Sequence, residues 1–204
     1  MYLVGLTGGI AAGKTSVAKR WVELGGLEID ADILARRALD AGTPGLAKVL
    51  EQFGPDLLLA DGNLDRQKLA EVVFNAPEKR KKLEEIVHPI VRELAAQALA
   101  DAPEGSIVIY TVPLLVEASV DLPFDFVVTV EAPVDKQVER MVKTRGMTAQ
   151  QASARIAAQA SAAERANRAD VILNSNQSLG RLLDDAEALW NEIERKAAAK
   201  HGAD

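Results

Sequence analysis

The chain has 204 residues, a formal net charge of −6 and no cysteine, and these values already exclude several classes of protein. Without cysteine there is no disulfide scaffold, cysteine zinc site, iron–sulfur cluster or thiol nucleophile. An acidic total does not favour broad adhesion to nucleic acid, although a local cluster of Lys and Arg can still bind a small anion. No stretch approaches the roughly 20 apolar residues of a membrane span, and residues 1–7 lack the basic start of a signal peptide. We therefore expect a cytoplasmic protein with neither nucleic acid nor a membrane as a partner.

Short apolar runs alternate with helical patterns along the chain. Five runs predict strands, over residues 2–7, 27–29, 107–112, 126–130 and 171–173. Helical patterns separate most of these runs. Such alternation favours an α/β fold with a parallel, doubly wound sheet and right-handed crossovers.

One helical stretch breaks the alternation, and a second helical stretch runs from residue 134 to about residue 168. The first, residues 31–102, contains turns but no convincing strand, so it predicts a helical insertion that either walls a ligand cleft or only packs. The second is broken at Gly146 and restarts with a capping box from Thr148 to Gln151. A final amphipathic helix is predicted over residues 179–200, with a frayed tail from Ala197 onward. The expected organisation is a core of residues 1–30, 103–135 and 169–204, the insertion 31–102, and a lid over 136–168.

The segment from Gly8 to Thr15 matches the phosphate-loop pattern G-x-x-x-x-G-K-[ST] at every defined position, between a predicted strand and a predicted helix. Glycines let the backbone turn so that successive N–H groups face phosphate oxygens, and the helix adds its positive N-terminal end. Lys14 supplies a mobile cation for the β- and γ-phosphates, and the Thr15 hydroxyl is the expected ligand of Mg²⁺. The residues expected to bind ATP here are Gly9, Ile10, Ala11, Ala12, Gly13, Lys14, Thr15 and Ser16.

Two carboxylates follow the second predicted strand. Asp30 and Asp32 lie where that strand ends, at the carboxyl edge where α/β sheets bind ligands. Beside bound phosphates a carboxylate can accept a proton from an attacking hydroxyl, or hold the hydration shell of Mg²⁺. It can equally cap the helix that follows. Spacing leaves these readings open, and Asp32, closer to the insertion, is the better candidate for a base.

Basic residues surround the break at Gly146. They are Arg140, Lys143, Arg145, Arg155, Arg165 and Arg168. Such a cluster is either an ordinary solvated surface or part of a lid that closes over a transferring phosphoryl group and excludes water.

Two further segments have both a functional and a structural interpretation. His88 precedes Pro89, which predicts that the helix is interrupted there, and the histidine is either functional or a plain surface residue. Residues 112–117, which follow the third strand, either wall a pocket or only pack.

Together these residues resemble the dephospho-coenzyme A kinase family over roughly residues 3–174. The shared elements come in the family's order: Leu6-Thr7-Gly8-Gly9-Ile10, Asp30-Ala31-Asp32, Asp61-Gly62 with Leu69 and Phe74, Leu83-Glu84 leading to His88-Pro89, Pro113-Leu114-Leu115-Val116-Glu117, Arg155-Ile156 with Gln159, and Ala169-Asp170-Val171-Ile172 ending at Asn174. The phosphate loop alone is generic. Joined to the Asp-Ala-Asp, His-Pro and Pro-Leu-Leu-x-Glu elements, it is quite specific.

The resemblance implies a P-loop kinase core: a five-stranded parallel sheet with helices on both faces, a helical domain for the coenzyme A substrate, and a helical lid. The implied reaction is transfer of the γ-phosphoryl group of ATP, with Mg²⁺, to the ribose 3′-hydroxyl of dephospho-CoA. Asp32 would be the catalytic base, Lys14 and Arg140 would assist the transfer, and Asn174 would lie near the adenine. The acceptor would be bound by Asp32, His88, Leu114, Leu115 and Glu117. We expect a monomer or a weak homo-oligomer.

Two departures from the family pattern stand out. Where the family commonly has Gly-Ser inside the loop, this chain has Ala11-Ala12, and alanine is strained wherever the glycine site has positive φ. Where many members have Arg-Asp-Gly in the lid, this chain has Thr144-Arg145-Gly146, so Arg145 is offset by one position.

Two other functions remain open at this point: a P-loop kinase for a nucleotide or sugar acceptor, and a nucleotide-dependent switch. The chain has no Asn-Lys-x-Asp element for reading guanine, which favours ATP over GTP.

Overall fold

A computed structural model describes residues 1–74, 76–112, 115 and 122–202. The chain divides into two compact units, which we call unit 1 (residues 1–30 and 102–204) and unit 2 (residues 31–101). The strands are β1 (Tyr2–Gly8), β2 (Leu27–Asp30), β3 (Ile107–Thr111), β4 (Phe126–Glu131) and β5 (Val171–Asn174). The α-helices are α1 (Lys14–Glu23), α2 (Ala31–Arg37), α3 (Pro44–Phe53), α4 (Arg66–Phe74), α5 (Pro77–Ala100), α6 (Val134–Arg145), α7 (Ala149–Ala157), α8 (Ala162–Ala166) and α9 (Leu179–His201).

The five strands of unit 1 form one parallel sheet in the order β2-β3-β1-β4-β5. This confirms the predicted α/β class, and each predicted strand is present with its carboxyl end displaced by one residue. All residues of β1 are buried between its neighbours β3 and β4, which explains its uninterrupted apolar sequence. Because the strands are parallel, their carboxyl ends meet at one edge, where the phosphate loop follows β1.

The core beside β1 is closed by α1 and α9. Trp21 and Trp190 pack with ring centroids 6.0 Å apart, and the indole N–H of Trp21 donates to the Ala186 carbonyl at 2.8 Å. Contrary to the expectation of a frayed tail, α9 runs to His201. Its last turn is held because Ala197 is buried and the Lys200 ammonium contacts both carboxylate oxygens of Asp125, at 2.7 and 2.8 Å.

Over the described residues 31–74 and 76–101, unit 2 consists of α-helices joined by turns, with a 3-10 helix at Pro55–Leu57 and an isolated bridge between Leu58 and Leu64. It has its own core, formed by Leu39, Leu46, Val49, Leu57, Leu64 and Leu69. The predicted interruption at Pro89 is wrong, because α5 continues through it. An internal proline costs about 3 kcal/mol or more, and the packing of α5 on α2, α3 and α4 supplies tertiary stabilisation that offsets this cost.

Among the residues that the structure describes, none of the helices combines the length and apolar character needed to cross a bilayer.

Candidate active site

The phosphate loop links β1 to α1 through backbone geometry that glycine permits. Gly8 has φ 144°, and a Cβ there would collide with the carbonyl oxygen of Val130. Gly13 is the N-cap of α1 with φ 113°, and no side chain caps that helix end. The first N–H groups of α1 therefore point to the loop as an anion-binding helix terminus.

Ala11 lies at the apex of this loop with φ 55°, and it is the only non-glycine residue with positive φ among those described. The condition for strain at the Ala11-Ala12 departure is thus met. Ala12 next to it is 1% exposed and its N–H donates to the Gly9 carbonyl at 3.1 Å, which closes the turn.

Lys14 contacts the loop itself. Its ammonium donates to the carbonyls of Gly8 at 2.7 Å and Gly9 at 3.1 Å. The ammonium that is expected to bind phosphate therefore lies against the backbone of the loop.

Arg140, on α6, connects the loop to the segment after β5. Its guanidinium donates to the carbonyls of Ala11 and Ala12 at 3.1 and 3.2 Å. It also donates to the hydroxyl and carbonyl oxygens of Ser175 at 2.8 and 2.7 Å. Ser175, 1% exposed, was missed by sequence reasoning; its only signal was its place after the last strand. Asn174 before it is exposed, and its side-chain oxygen accepts from the Asn176 N–H at 2.8 Å.

A buried ion pair lies under the loop, and the sequence did not reveal it. Arg165 of α8 is 4% exposed and donates to both carboxylate oxygens of Glu131, at 2.6 and 2.7 Å. Arg165 is therefore a structural member of the basic cluster rather than a solvated one. By contrast, Lys143, Arg145, Arg155 and Arg168 are exposed.

Asp30 closes β2 in unit 1, in register with Thr111. Near it, burial and then the charge of Asp30 raise the pKa of Tyr110 above its ordinary value. This carboxylate therefore belongs to the carboxyl edge of the sheet.

The residues expected on the acceptor side lie in unit 2, in unit 1 at Leu115, and outside the described residues. Asp32 is exposed in the first turn of α2, and His88 is exposed on α5, against which α2 packs. Leu115 is 5% exposed. Leu114 and Glu117 fall outside the described residues.

Thr15 is the residue expected to bind Mg²⁺, and its environment fits that role. It is exposed in the first turn of α1. The described residues contain no group of three or more His, Cys, Asp or Glu that could hold a metal by themselves. Mg²⁺ is commonly bound by one or two protein groups together with substrate phosphates and water, which suits a lone hydroxyl beside a phosphate loop.

Comparisons with known proteins show which family the chain is similar to. The family model described as dephospho-CoA kinase matches residues 2–180. A dephospho-CoA kinase of Thermobifida fusca is 44% identical over 196 residues, covering 96% of this chain and 98% of that protein. A crystal structure of a Thermus thermophilus protein has a TM-score of 0.80 at 32% identity, covering 94% of this chain and 97% of that one. A solved dephospho-CoA kinase of Campylobacter jejuni has a TM-score of 0.66 at 26% identity, with coverages of 94% and 96%.

Proposed function

The chain belongs to the dephospho-CoA kinase family, and we propose that it transfers the γ-phosphoryl group of ATP to the ribose 3′-hydroxyl of dephospho-CoA, the last step of coenzyme A synthesis. The observation that carries this proposal is the family match over residues 2–180, which includes an intact phosphate loop. As a member of this family the chain is an ATP-dependent kinase.

The phosphate loop and α1 bind the nucleotide in this proposal. The ATP contacts are assigned to residues 9–16, where backbone N–H groups and the N-terminus of α1 suit the phosphates. Lys14 moves from the loop carbonyls to the β- and γ-phosphates, and Asn174, at the end of β5, lies on the adenine side. The Thr15 hydroxyl would hold Mg²⁺, which when bound would neutralise charge on the phosphates.

Asp32 is proposed as the base. Its carboxylate takes the proton of the ribose 3′-hydroxyl as that oxygen bonds to the γ-phosphorus, and the bond to the bridging oxygen of ADP breaks. Asp32 follows Asp30, the last residue of β2, by two positions in the sequence. Unit 2 is proposed as the dephospho-CoA domain. His88, Leu114, Leu115 and Glu117 are assigned to the acceptor.

The segment from α6 to α8 is proposed as the lid, with Arg140 assisting transfer. A lid suits a kinase because water that reaches the γ-phosphoryl group competes with the acceptor. The proposed enzyme works in the cytoplasm as a monomer or weak homo-oligomer.

Acceptor dependence tests the proposed function. ATP consumption is measured with dephospho-CoA and, separately, with a panel of nucleoside monophosphates and shikimate. We expect rapid consumption with dephospho-CoA alone and formation of coenzyme A. Rapid consumption with another acceptor would show a different small-molecule kinase, and consumption that needs no acceptor would show a nucleotide-dependent switch.

A further inference from the structure

We propose that Gln159 is a positioning residue for nucleotide binding, which holds the phosphate loop in its binding form before ATP arrives. This inference rests on the proposed role of the loop in binding ATP. It deepens that role by naming a side chain outside the loop that sets the loop's affinity for phosphates.

The contact is a single hydrogen bond between distant parts of unit 1. The backbone N–H of Ile10 donates to the side-chain oxygen of Gln159 at 2.8 Å, across 149 positions of sequence. Because the loop atom is a donor, the amide must present its oxygen rather than its nitrogen. The acceptor is neutral, so it satisfies the peptide without adding negative charge where phosphates bind.

The position of Gln159 is fixed by the buried ion pair under the loop. The Arg165 guanidinium donates to the carbonyl of Ala160, the next residue after Gln159. The same guanidinium is bound through two oxygens to Glu131 at the end of β4. The hydroxyl of Thr129 donates to that carboxylate at 2.7 Å. The backbone next to Gln159 is thus anchored to the sheet through Arg165 and Glu131.

The surroundings of Gly9 show independently that the phosphate loop packs against Arg165. A Cβ at Gly9 would lie 2.5 Å from the side-chain nitrogen of Gln137 and 3.2 Å from a guanidinium nitrogen of Arg165. Gln137 is 3% exposed, so the floor of the loop is a packed polar layer. Two contacts therefore fix the position of Gly9 and Ile10: packing against Gln137 and Arg165, and the hydrogen bond from Ile10 to Gln159.

The effect of Gln159 on ATP binding depends on the fraction of free protein whose loop has the binding form. When only a fraction of the free protein has the binding form, the apparent Kd rises as the inverse of that fraction. Losing one hydrogen bond of ordinary net strength then weakens ATP binding by about 2- to 10-fold. Bound phosphates order the loop themselves, so kcat at saturating ATP changes by less than about 2-fold.

The test compares the wild type with Gln159→Ala, Gln159→Met and Asn191→Ala. Methionine keeps the length and packing of the side chain but removes the acceptor. Asn191, whose side chain also ends in an amide, is exposed on α9 away from the proposed sites and serves as the control. Calorimetric titration with Mg·ATP and with inorganic tripolyphosphate gives Kd, and steady-state transfer to dephospho-CoA gives kcat and KM. Amide hydrogen exchange at Ile10 reports the bond directly.

We expect both Gln159 variants to weaken both ligands by about 2- to 10-fold, with faster exchange at Ile10, and the control to match the wild type. Tighter binding would mean that Gln159 competes with phosphate. Unchanged binding would mean that the contact has no effect on the affinity for phosphates. Weakening by alanine alone would reduce the contact to packing. Each of these three results overturns the inference. A wild type that does not bind ATP would instead overturn the proposed function.

Discussion

At Ala11, the backbone angle φ affects stability more than the methyl side chain does. An L-residue in the left-handed region costs about 1–2 kcal/mol relative to the right-handed region, whereas glycine enters it freely. The loop tolerates this strain because its neighbours hold it: Arg140 binds the Ala11 carbonyl, and the Ala12 N–H closes the turn.

Ala11→Gly should therefore stabilise the protein. Relief of strain exceeds the extra backbone entropy of glycine in the unfolded chain, which leaves a gain of about 0.5–1 kcal/mol in the free energy of unfolding. Urea denaturation measures it. Ala12→Gly is the matched control: it removes a buried methyl without relieving positive φ, so it should lower the same free energy by about 1 kcal/mol. A loss of stability in Ala11→Gly would contradict the assigned strain.

Asp32→Asn should lower kcat by about 10²–10⁴ while ATP binding is largely kept, because the amide keeps the shape but cannot take a proton. Single-turnover transfer measures the chemical step, and titration with Mg·ATP measures binding. Asp30→Asn is the comparison, since Asp30 closes β2 two positions earlier. A larger loss in that variant would identify Asp30 as the base instead.

Arg140→Ala should cost more kcat than Arg145→Ala. Arg140 makes four hydrogen bonds that join the loop apex to Ser175, whereas Arg145 is exposed at the end of α6. Arg140→Lys should restore the activity only in part, because lysine keeps the charge and loses the planar fork. Single-turnover transfer compares the four enzymes. If Arg145→Ala lowers kcat more than Arg140→Ala, the one-residue offset of Arg145 in the proposed lid has no effect on catalysis.

At the scale of elements, the pair Glu131–Arg165 fastens the short helix α8 to the end of β4. Side-chain exposures of 5% for Arg165 and 14% for Glu131 place the pair largely out of water. Such pairs add little over apolar packing when intact, but breaking one side leaves a buried charge. The pair therefore makes the position of α8 sensitive to a single substitution.

Arg165→Met should lower the free energy of unfolding by about 3–5 kcal/mol, since the buried Glu131 carboxylate loses its charged partner. Arg168→Met, at an exposed neighbouring position, should change the same quantity by less than about 0.5 kcal/mol. Combining Arg165→Met with Glu131→Gln should recover part of the loss. Equal stability of the two single variants would contradict the assignment.

Elements whose signal is local could be predicted from the sequence, and contacts between distant segments could not. The apolar runs, the phosphate-loop pattern and the capping box at Thr148 each lie within a few residues, and the structure contains all three. Arg165 and Glu131 are 34 positions apart, and nothing near Arg165 distinguishes it from its exposed neighbours. The proline rule failed at Pro89 for the complementary reason, because tertiary packing of α5 outweighed a local preference.

At the scale of the whole molecule, the unfolding of the two units can be followed by different spectroscopic signals. The chain has two tryptophans, Trp21 and Trp190, and both are buried in the core of unit 1. Unit 2 has a separate and smaller core. Small cores are marginal because they bury a lower fraction of their surface.

Urea should therefore lower the far-ultraviolet ellipticity before it changes the tryptophan fluorescence. Ellipticity follows the helices of both units, whereas fluorescence follows unit 1 alone. Leu69→Ala, in the core of unit 2, should move the early part of the ellipticity curve and leave the fluorescence midpoint in place. Coincident curves in the wild type would show instead that the two units unfold as one cooperative system.

Because β1 is the central strand, the sheet cannot form during synthesis until later strands have left the ribosome. Tyr2 pairs with Ile107 and Val4 with Phe126, so the first strand synthesised has no partner until more than half of the chain has emerged. Pairings of such high contact order form slowly. Unit 2, whose contacts are local in sequence, can be complete by then. During that interval β1 is an unpaired apolar strand. Chaperones protect such segments, and overexpression exposes them to aggregation.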